Sequence, residues 1–198
     1  MTKTKALESV CVYCGSSNAA DPDFIEAART FGKTLAGEGV RLVYGGGGIG
    51  LMGACARAAH ENGGEVLGVM PEFLRLREVL YDDVETVVVK TMHERKMIMY
   101  DQADAFAVLP GGIGTLEEVV ELLSWRRLSL HAKPIVFLNL KGYWEPFFEL
   151  VRHTVDQKLT PPSFMDAWRS VDRVEDLLPR LQSLNAGDEP APEMPLVT

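Results

Sequence analysis

The 198-residue sequence predicts a doubly wound, Rossmann-like α/β domain, in which helices cover both faces of a mainly parallel sheet. Three observations predict this class. Short β-rich runs alternate with longer segments of helical periodicity. The β-rich runs lack the apolar and polar alternation of half-exposed strands, which is typical of strands buried on both faces. Two of the runs end in glycine-rich loops that lead directly into helices.

The individual elements follow from the apolar runs and from the residues that begin and end helices. Strands are predicted over residues 10–14, 41–44, 65–70, 85–90, 105–109 and 134–140. Asp21 and Pro22 provide an N-cap and a first-turn proline, and Thr91 with Glu94 forms a capping box. One helix is therefore expected to begin after Thr91, and others are predicted over 22–36, 51–60, 116–130, 145–157 and 174–184.

Length and composition limit the classes of function. Residues 1–186 have the length of one domain, and residues 187–198, rich in proline and acidic side chains, are predicted to be a disordered tail. The net charge of −8 opposes binding to a nucleic acid polymer but permits a small anionic ligand in a pocket. Since neither a membrane-spanning run nor a signal-peptide core is evident, and three cysteines are too few for a disulfide framework, we expect a cytoplasmic protein that does not bind membranes.

Two glycine-rich loops, residues 45–50 and 110–115, are expected at the carboxyl edge of the sheet, where doubly wound domains bind ligands. Each leads into a helix N-terminus, whose free N–H groups and dipole favour an anion. Two such loops at one edge indicate a phosphorylated small molecule.

The spacing of Gly48, Gly50 and Gly53 is formally that of a dinucleotide-binding loop. It follows the second strand instead of the first, so it is weak evidence for a dinucleotide-dependent dehydrogenase. The same glycines would serve either a phosphate contact or a tight turn with close helix–sheet packing. The GxxxxGK[ST] pattern of a triphosphate-binding loop is absent from the sequence.

Two acidic residues, Glu117 and Glu118, lie in the first predicted helical turn after the second loop, and Glu118 is a candidate catalytic residue. Thr115 and Glu118 also fit a capping box, which is a purely structural explanation. A carboxylate beside an anion site would repel the phosphate unless it faced an electron-poor part of the ligand. In a nucleotide that part is the anomeric carbon, where a carboxylate stabilises an oxocarbenium-like transition state and orients or deprotonates a water.

Arg95 and Lys96 lie close to a predicted helix start, where cations oppose the helix dipole. One interpretation is a solvated basic pair that Glu94 partly neutralises. The other is a cationic wall, in which Arg95 holds a phosphate or leaving group with its planar guanidinium and Lys96 acts as a point charge.

Two segments together carry a resemblance to a known family, namely Met92-His93-Glu94-Arg95-Lys96 and Pro110-Gly111-Gly112-x-Gly114-Thr115-x-x-Glu118. They resemble the LOG (Lonely Guy) family, long labelled lysine-decarboxylase-like, over about residues 10–157. The resemblance implies hydrolysis of a purine nucleoside 5′-monophosphate, of cytokinin or adenosine type, to the free base and ribose 5-phosphate. It implies no metal or organic cofactor, and a homodimer with the site near the subunit interface.

Position by position, the resemblance implies that Arg95 and Glu118 are the catalytic pair. It also implies a substrate site lined by Gly45, Gly46, Gly47, Glu78, Lys96, Gly111, Gly112, Ile113, Gly114, Thr115, Leu116, Glu117 and Ser124. Many members carry an aromatic residue in place of Ile113 and threonine in place of Ser124, so the preferred base stays open.

Other functions also stay open. A non-catalytic nucleotide-binding module would use the glycine-rich loops but would leave Arg95 and Glu118 without a clear purpose. A pyridoxal-phosphate-dependent lysine decarboxylase needs a Schiff-base lysine, for which Lys96 is the only attractive candidate. Cys11 and Cys14 have thioredoxin spacing but fall within or at the end of a strand, which favours buried structural thiols. No histidine or cysteine spacing predicts a metal site.

Overall fold

The structure, a computed structural model that describes residues 6–75 and 79–188, contains a seven-stranded sheet. All of its strand pairs are parallel, and the spatial order is β4-β3-β2-β1-β5-β6-β7. The strands are β1 (Ser9–Tyr13), β2 (Arg41–Tyr44), β3 (Val66–Pro71), β4 (Glu85–Val89), β5 (Ala105–Val108), β6 (Ile135–Leu138) and β7 (Arg169–Val171). The predicted fold class is confirmed. The sequence did not predict β7, because three residues are too short a run to show a period.

In the described residues, the helices alternate with the strands as predicted. They are α1 (Pro22–Gly37), α2 (Gly50–Glu61), α3 (Glu72–Arg75), α4 (Met92–Asp101), α5 (Ile113–Arg127), α6 (Glu145–Asp156) and α7 (Leu177–Ala186). Short 3₁₀ turns occur at Leu140–Gly142, Pro162–Asp166 and Val174–Asp176. The N-cap Asp21 accepts a hydrogen bond from the Asp23 N–H at 2.9 Å, and the capping box between Thr91 and Glu94 is formed.

Helix α5 begins at Ile113, three residues before the predicted start, with Gly112 as its N-cap. The interpretation of Thr115 as a capping residue is therefore wrong. Its side chain instead packs within the first turn against Gly111, where an added Cβ would overlap the threonine. The glycines of the loop permit this earlier start, because without Cβ atoms they can pack closely against the first turn of the helix.

Both faces of the sheet are covered by apolar side chains, which explains why the strands do not alternate. Successive side chains of a strand point to opposite faces. Val10 and Val12 therefore join the core beneath α1, α2 and α7, whereas Cys11 and Tyr13 join the core beneath α4, α5 and α6. Each face of β1 is consequently fixed by packing against a helical layer.

The order of the strands places a topological switch point between β1 and β5. From β1 the chain adds β2, β3 and β4 on one side, then returns to β5, β6 and β7 on the other. Doubly wound domains bind ligands outside the carboxyl ends of the strands at such a point. The loops that follow β1 and β5 therefore flank the crevice.

Helix α7 is the last element of the described residues, and the boundary after residue 186 stays a prediction. Helix α7 ends at Ala186, and Gly187 caps it in a left-handed conformation with φ 78°. The predicted tail lies outside the described residues from residue 189 onward. Within residues 6–75 and 79–188, no helix combines the length and apolar content needed to cross a bilayer.

Candidate active site

A cleft of about 400 Å³ opens at the switch point, at the carboxyl ends of β1 and β5. Its walls combine apolar side chains, hydroxyl groups, backbone at the start of α5 and one charged pair. The lining residues are Cys14, Gly15, Ser16, Ser17, Met52, Leu74, Met92, Arg95, Gly112, Ile113, Gly114, Thr115 and Glu118. Of the residues predicted to form the site, this set includes Arg95, Glu118 and the segment from Gly112 to Thr115.

The loop after β1 is joined to the second glycine-rich loop and to the start of α2. Gly15 donates its N–H to the Pro110 carbonyl at 3.0 Å and accepts a hydrogen bond from the Met52 N–H at 3.2 Å. Gly50 donates its N–H to Asn18 Oδ1 at 2.8 Å. These bonds gather the three loops into one wall of the cleft.

The start of α5 supplies a site for an anion. The N–H groups of a helix's first turn have no acceptor within the helix, and the helix dipole places partial positive charge there. Gly112, Ile113 and Gly114 are exposed at this end and line the cleft. The arrangement is therefore suited to a phosphate group.

Arg95 on α4 and Glu118 on α5 form a buried ion pair in the wall of the cleft. Arg95 Nη1 lies 3.3 Å from Glu118 Oε1, and the two side chains are only 8% and 6% exposed. Arg95 also donates from Nε to the Val69 carbonyl at 3.2 Å and from Nη2 to the Gly45 carbonyl at 3.4 Å. A Cβ at Gly45 would overlap the guanidinium, so this glycine makes room for Arg95.

Burial makes each charge of this pair depend on the other. Removing one partner of a buried pair leaves an uncompensated charge, at a cost of about 3–5 kcal/mol. Both residues also line the cleft, so the pair meets any bound ligand. A carboxylate held in this way can accept a proton from water or face a developing positive charge, while the guanidinium can bind an anion.

Lys96 forms a second ion-pair cluster beside the first. Its Nζ lies 2.5 Å from Glu117 Oε1 and 2.7 Å from Glu121 Oε2. Burial alone would lower the pKa of Lys96, but the hydrogen bonds with Glu117 and Glu121 outweigh it and raise the pKa above its usual value. Lys96 therefore stays protonated, and its ion pairs join α4 to α5. Among the described residues, it is not one of those that line the cleft.

The contacts of Lys96 do not favour pyridoxal phosphate chemistry at this site. A Schiff base forms from a neutral amine, whereas Lys96 is held as an ammonium between Glu117 and Glu121. The residues that the structure describes contain no cluster of three His, Cys, Asp or Glu side chains placed to hold a metal ion.

The remaining predicted site residues lie at other places. Gly46 and Gly47 are buried beside Gly45, beneath the cleft, and Leu116 packs into the core below α5. Gly111 borders a neighbouring cleft that it shares with Gly112. Glu78 lies outside the described residues.

Ser124 lies in a separate apolar groove between α5 and α6. Its Oγ donates to the Val120 carbonyl at 2.7 Å, within the same helix. The groove has a volume of about 480 Å³ and is lined by Val120, Leu123, Ser124, Arg127, Leu128, Phe147, Leu150, Val151, Thr154, Leu159, Thr160 and Phe164. The role of Ser124 as a substrate-binding residue stays a prediction.

Sequence reasoning missed the lining residues Cys14, Ser16 and Ser17 of the loop after β1. The sequence feature that could have identified them is the glycine–serine turn directly after a buried strand. Only the strand order shows that this strand borders the switch point. Burial raises the pKa of the Cys14 thiol well above its usual value, so this cysteine is a neutral thiol in the cleft wall.

Fold and site together define a doubly wound α/β protein with a cleft at its switch point, a helix N-terminus exposed in that cleft and a buried carboxylate–guanidinium pair in its wall. The family model described as possible lysine decarboxylase matches residues 52–181. The chain is 40% identical to the cytokinin riboside 5′-monophosphate phosphoribohydrolase LOG7 of Arabidopsis thaliana, over 92% of this chain and 85% of that protein. It is 44% identical to the probable cytokinin riboside 5′-monophosphate phosphoribohydrolase LOGL9 of Oryza sativa subsp. japonica, over 87% of this chain and 77% of that protein. This chain belongs to the LOG family, as its motifs predicted.

A comparison of folds supports the doubly wound architecture. The structure of the molybdenum cofactor carrier protein from Chlamydomonas reinhardtii matches 91% of this chain and 99% of its own, with a TM-score of 0.70. The two sequences are 20% identical, so the match supports the fold alone.

Proposed function

We propose that this chain hydrolyses the N-glycosidic bond of a purine nucleoside 5′-monophosphate and releases the free base and ribose 5-phosphate. The observation that carries the proposal is the buried Arg95–Glu118 pair, which lines the same cleft as the anion-binding start of α5. The names of the relatives in Arabidopsis thaliana and Oryza sativa support this substrate class.

The proposal pairs each part of the nucleotide with a part of the cleft. The 5′-phosphate binds the N–H groups at the start of α5. Glu118 follows Ile113 by five residues, about 7.5 Å along the helix axis, a distance that a ribose can bridge. The anomeric carbon then lies over the Glu118 carboxylate, and the base extends towards the apolar side chains of Leu74 and Met92.

In the reaction, the bond from the anomeric carbon to the base breaks and a bond from that carbon to a water oxygen forms. Glu118 stabilises the oxocarbenium-like transition state and takes a proton from the attacking water. The leaving nitrogen of the base takes a proton from solvent water, and Glu118 returns the proton of the attacking water to solvent, so that overall one water is split between the ribose and the base. Arg95 keeps the carboxylate in place and supplies positive charge beside the phosphate or the departing base.

Chromatography of the products from AMP and, separately, from isopentenyladenosine monophosphate tests the proposal. We expect free base and ribose 5-phosphate, and the ratio of the two rates distinguishes cytokinin release from AMP hydrolysis. Adenosine should react more slowly, because it lacks the phosphate that binds α5. Tight AMP binding by calorimetry without base release from either nucleotide would instead indicate a binding module.

The proposal includes a homodimer with the site near the subunit interface. The groove between α5 and α6 presents exposed apolar side chains, among them Leu128 at 55%, Leu150 at 61% and Leu159 at 82%. Apolar patches of this kind mark interaction surfaces. Ser124 lies in this groove, six residues or about 9 Å along α5 from Glu118, so a second chain bound there would approach the site.

A charge placed in this groove should separate the dimer. Light scattering with size-exclusion chromatography is expected to give twice the 21.8 kDa chain mass for the unmodified protein and the single mass for Leu150→Glu. Val88→Glu, at an exposed apolar position on the edge strand β4, serves as the control and should remain dimeric. A Leu150→Glu protein that stays dimeric would exclude the groove as the interface.

A cytoplasmic location and a small-molecule substrate are part of the same proposal. Cys11, Cys14 and Cys55 are buried free thiols, as expected in a reducing compartment. The net charge of −8 disfavours a nucleic acid polymer as partner.

A further inference from the structure

Tyr143 lies directly before α6 and contacts the second glycine-rich loop, although the proposed reaction gives it no part. Its phenolic O–H donates to the Gly111 carbonyl at 2.6 Å. Tyr143 lines a second cleft, of about 280 Å³, which shares Gly15, Ser17 and Gly112 with the candidate active site. Among the described residues, Tyr143 is not one of those that line the active-site cleft. It contacts the loop from the side of the second cleft.

The surrounding structure holds Tyr143 in this place. Its ring packs edge-on against Phe24 of α1, with ring centroids 5.3 Å apart, and against Trp144 at 5.1 Å. Lys141 adopts a left-handed conformation with φ 57°, and its Nζ lies 2.8 Å from Oδ2 of Asp21, the N-cap of α1. The turn between β6 and α6 is therefore tied to the start of α1, and the phenol is directed to the loop.

The hydrogen bond between Tyr143 and the Gly111 carbonyl fixes the orientation of the peptide group that joins Gly111 to Gly112. The described chain contains no cis peptide bonds, and in a trans peptide the C=O and N–H groups point in opposite directions. With the Gly111 carbonyl turned to Tyr143, the Gly112 N–H points away from the phenol, and Gly112 also lines the active-site cleft. A hydrogen bond to the carbonyl also polarises the peptide group and strengthens its N–H as a donor.

A loop that contains Gly111, Gly112 and Gly114 needs such a constraint. Glycine loses more conformational freedom on ordering than any other residue, so a mobile loop would weaken ligand binding. The Gly15 N–H already fixes the preceding carbonyl, that of Pro110, at 3.0 Å. Tyr143 fixes the next one.

We propose that Tyr143 is a positioning residue for the ligand's phosphate: by holding the Gly111 carbonyl, it presents the Gly112 N–H to the anion site at the start of α5. The identity of the anion as a nucleotide 5′-phosphate rests on the proposed function. The orientation of the Gly111–Gly112 peptide group follows from the hydrogen bond with Tyr143, whatever the anion is.

Tyr143→Phe tests this role, because it removes the hydroxyl and keeps the ring contacts with Phe24 and Trp144. Loss of one hydrogen bond is expected to raise the KM for AMP about three- to tenfold and to leave kcat within about twofold. The inhibition constant of ribose 5-phosphate should rise by the same factor. The affinity for adenosine, which has no phosphate, should not change.

Tyr100→Phe is the matched control, since Tyr100 lies near the end of α4 that leads into the start of β5, at the opposite edge of the sheet. Unchanged AMP and ribose 5-phosphate constants in Tyr143→Phe would overturn the inference. So would a lower kcat with an unchanged KM, or equal weakening of AMP and adenosine. If the unmodified protein proves inactive, calorimetry with AMP still decides: weaker binding by Tyr143→Phe supports the positioning role, and equal binding overturns it.

Discussion

Replacing Glu118 with glutamine is expected to lower the turnover of AMP by about 10²- to 10⁴-fold, the usual contribution of a positioned acid–base group. The amide has nearly the same shape, and its oxygen can still accept a hydrogen bond from Arg95 Nη1, which lies 3.3 Å from the carboxylate oxygen. It carries no charge to stabilise an oxocarbenium ion, and it does not take a proton from water. Rates under single-turnover conditions with saturating AMP measure this loss directly.

The Glu118→Gln protein should remain folded, with a lower free energy of unfolding because the buried Arg95 charge loses its counter-charge, and should bind AMP with nearly unchanged affinity, because the phosphate contacts at the start of α5 stay in place. Circular dichroism and calorimetry check these two points. Glu26→Gln, which removes an exposed carboxylate on α1, is the control and should keep full activity. Full activity in Glu118→Gln would instead show that this carboxylate serves only the structure.

Arg95→Met is expected to lower the free energy of unfolding by about 3–5 kcal/mol, because the buried Glu118 carboxylate loses its partner. The double variant Arg95→Met with Glu118→Leu should recover most of this loss, since it replaces both charges by apolar side chains of similar volume. Chemical denaturation of the three proteins measures both differences.

The single variant Arg95→Met and the double variant should differ in stability but not in activity. Both are expected to be inactive towards AMP, although the double variant is nearly as stable as the unmodified protein. The result would show that Arg95 and Glu118 are kept for chemistry and not for stability. An Arg95→Met protein as stable as the original would contradict the strong dependence of each buried charge on the other.

Most of the fold could be predicted from local patterns, because strands buried on both faces and capped helices leave continuous signals in the sequence. The N-cap Asp21 and the capping box at Thr91 were confirmed for this reason. The start of α5 was predicted three residues late, because Gly112 caps the helix without a side chain and gives no polar signal. β7 was missed because its three residues pair with β6 only through the tertiary fold.

Glu118 could be placed at the cleft from the sequence because it follows a glycine-rich loop and lies in the first turns of a helix. The patterns around Arg95 left its role open, and it was assigned to the site only by the resemblance to the family. Ser16 and Ser17 were missed, because the position of β1 beside β5 depends on strand order, which no local pattern records. Lys96 illustrates the same limit. Its charge suggested a ligand contact. In the fold, Lys96 instead forms ion pairs with Glu117 and Glu121, which lie more than twenty residues away along the chain.

The two ion-pair clusters between α4 and α5 stand side by side. Arg95 and Lys96 are consecutive on α4, and their partners Glu118 and Glu117 are consecutive on α5, so the contacts of Lys96 fix the spacing at which Arg95 meets Glu118. The two groups that we propose as the reacting pair are therefore held in place before any ligand binds. Charges that are fixed in advance need little reorganisation during a reaction, so the proposed chemistry would start from a preorganised site.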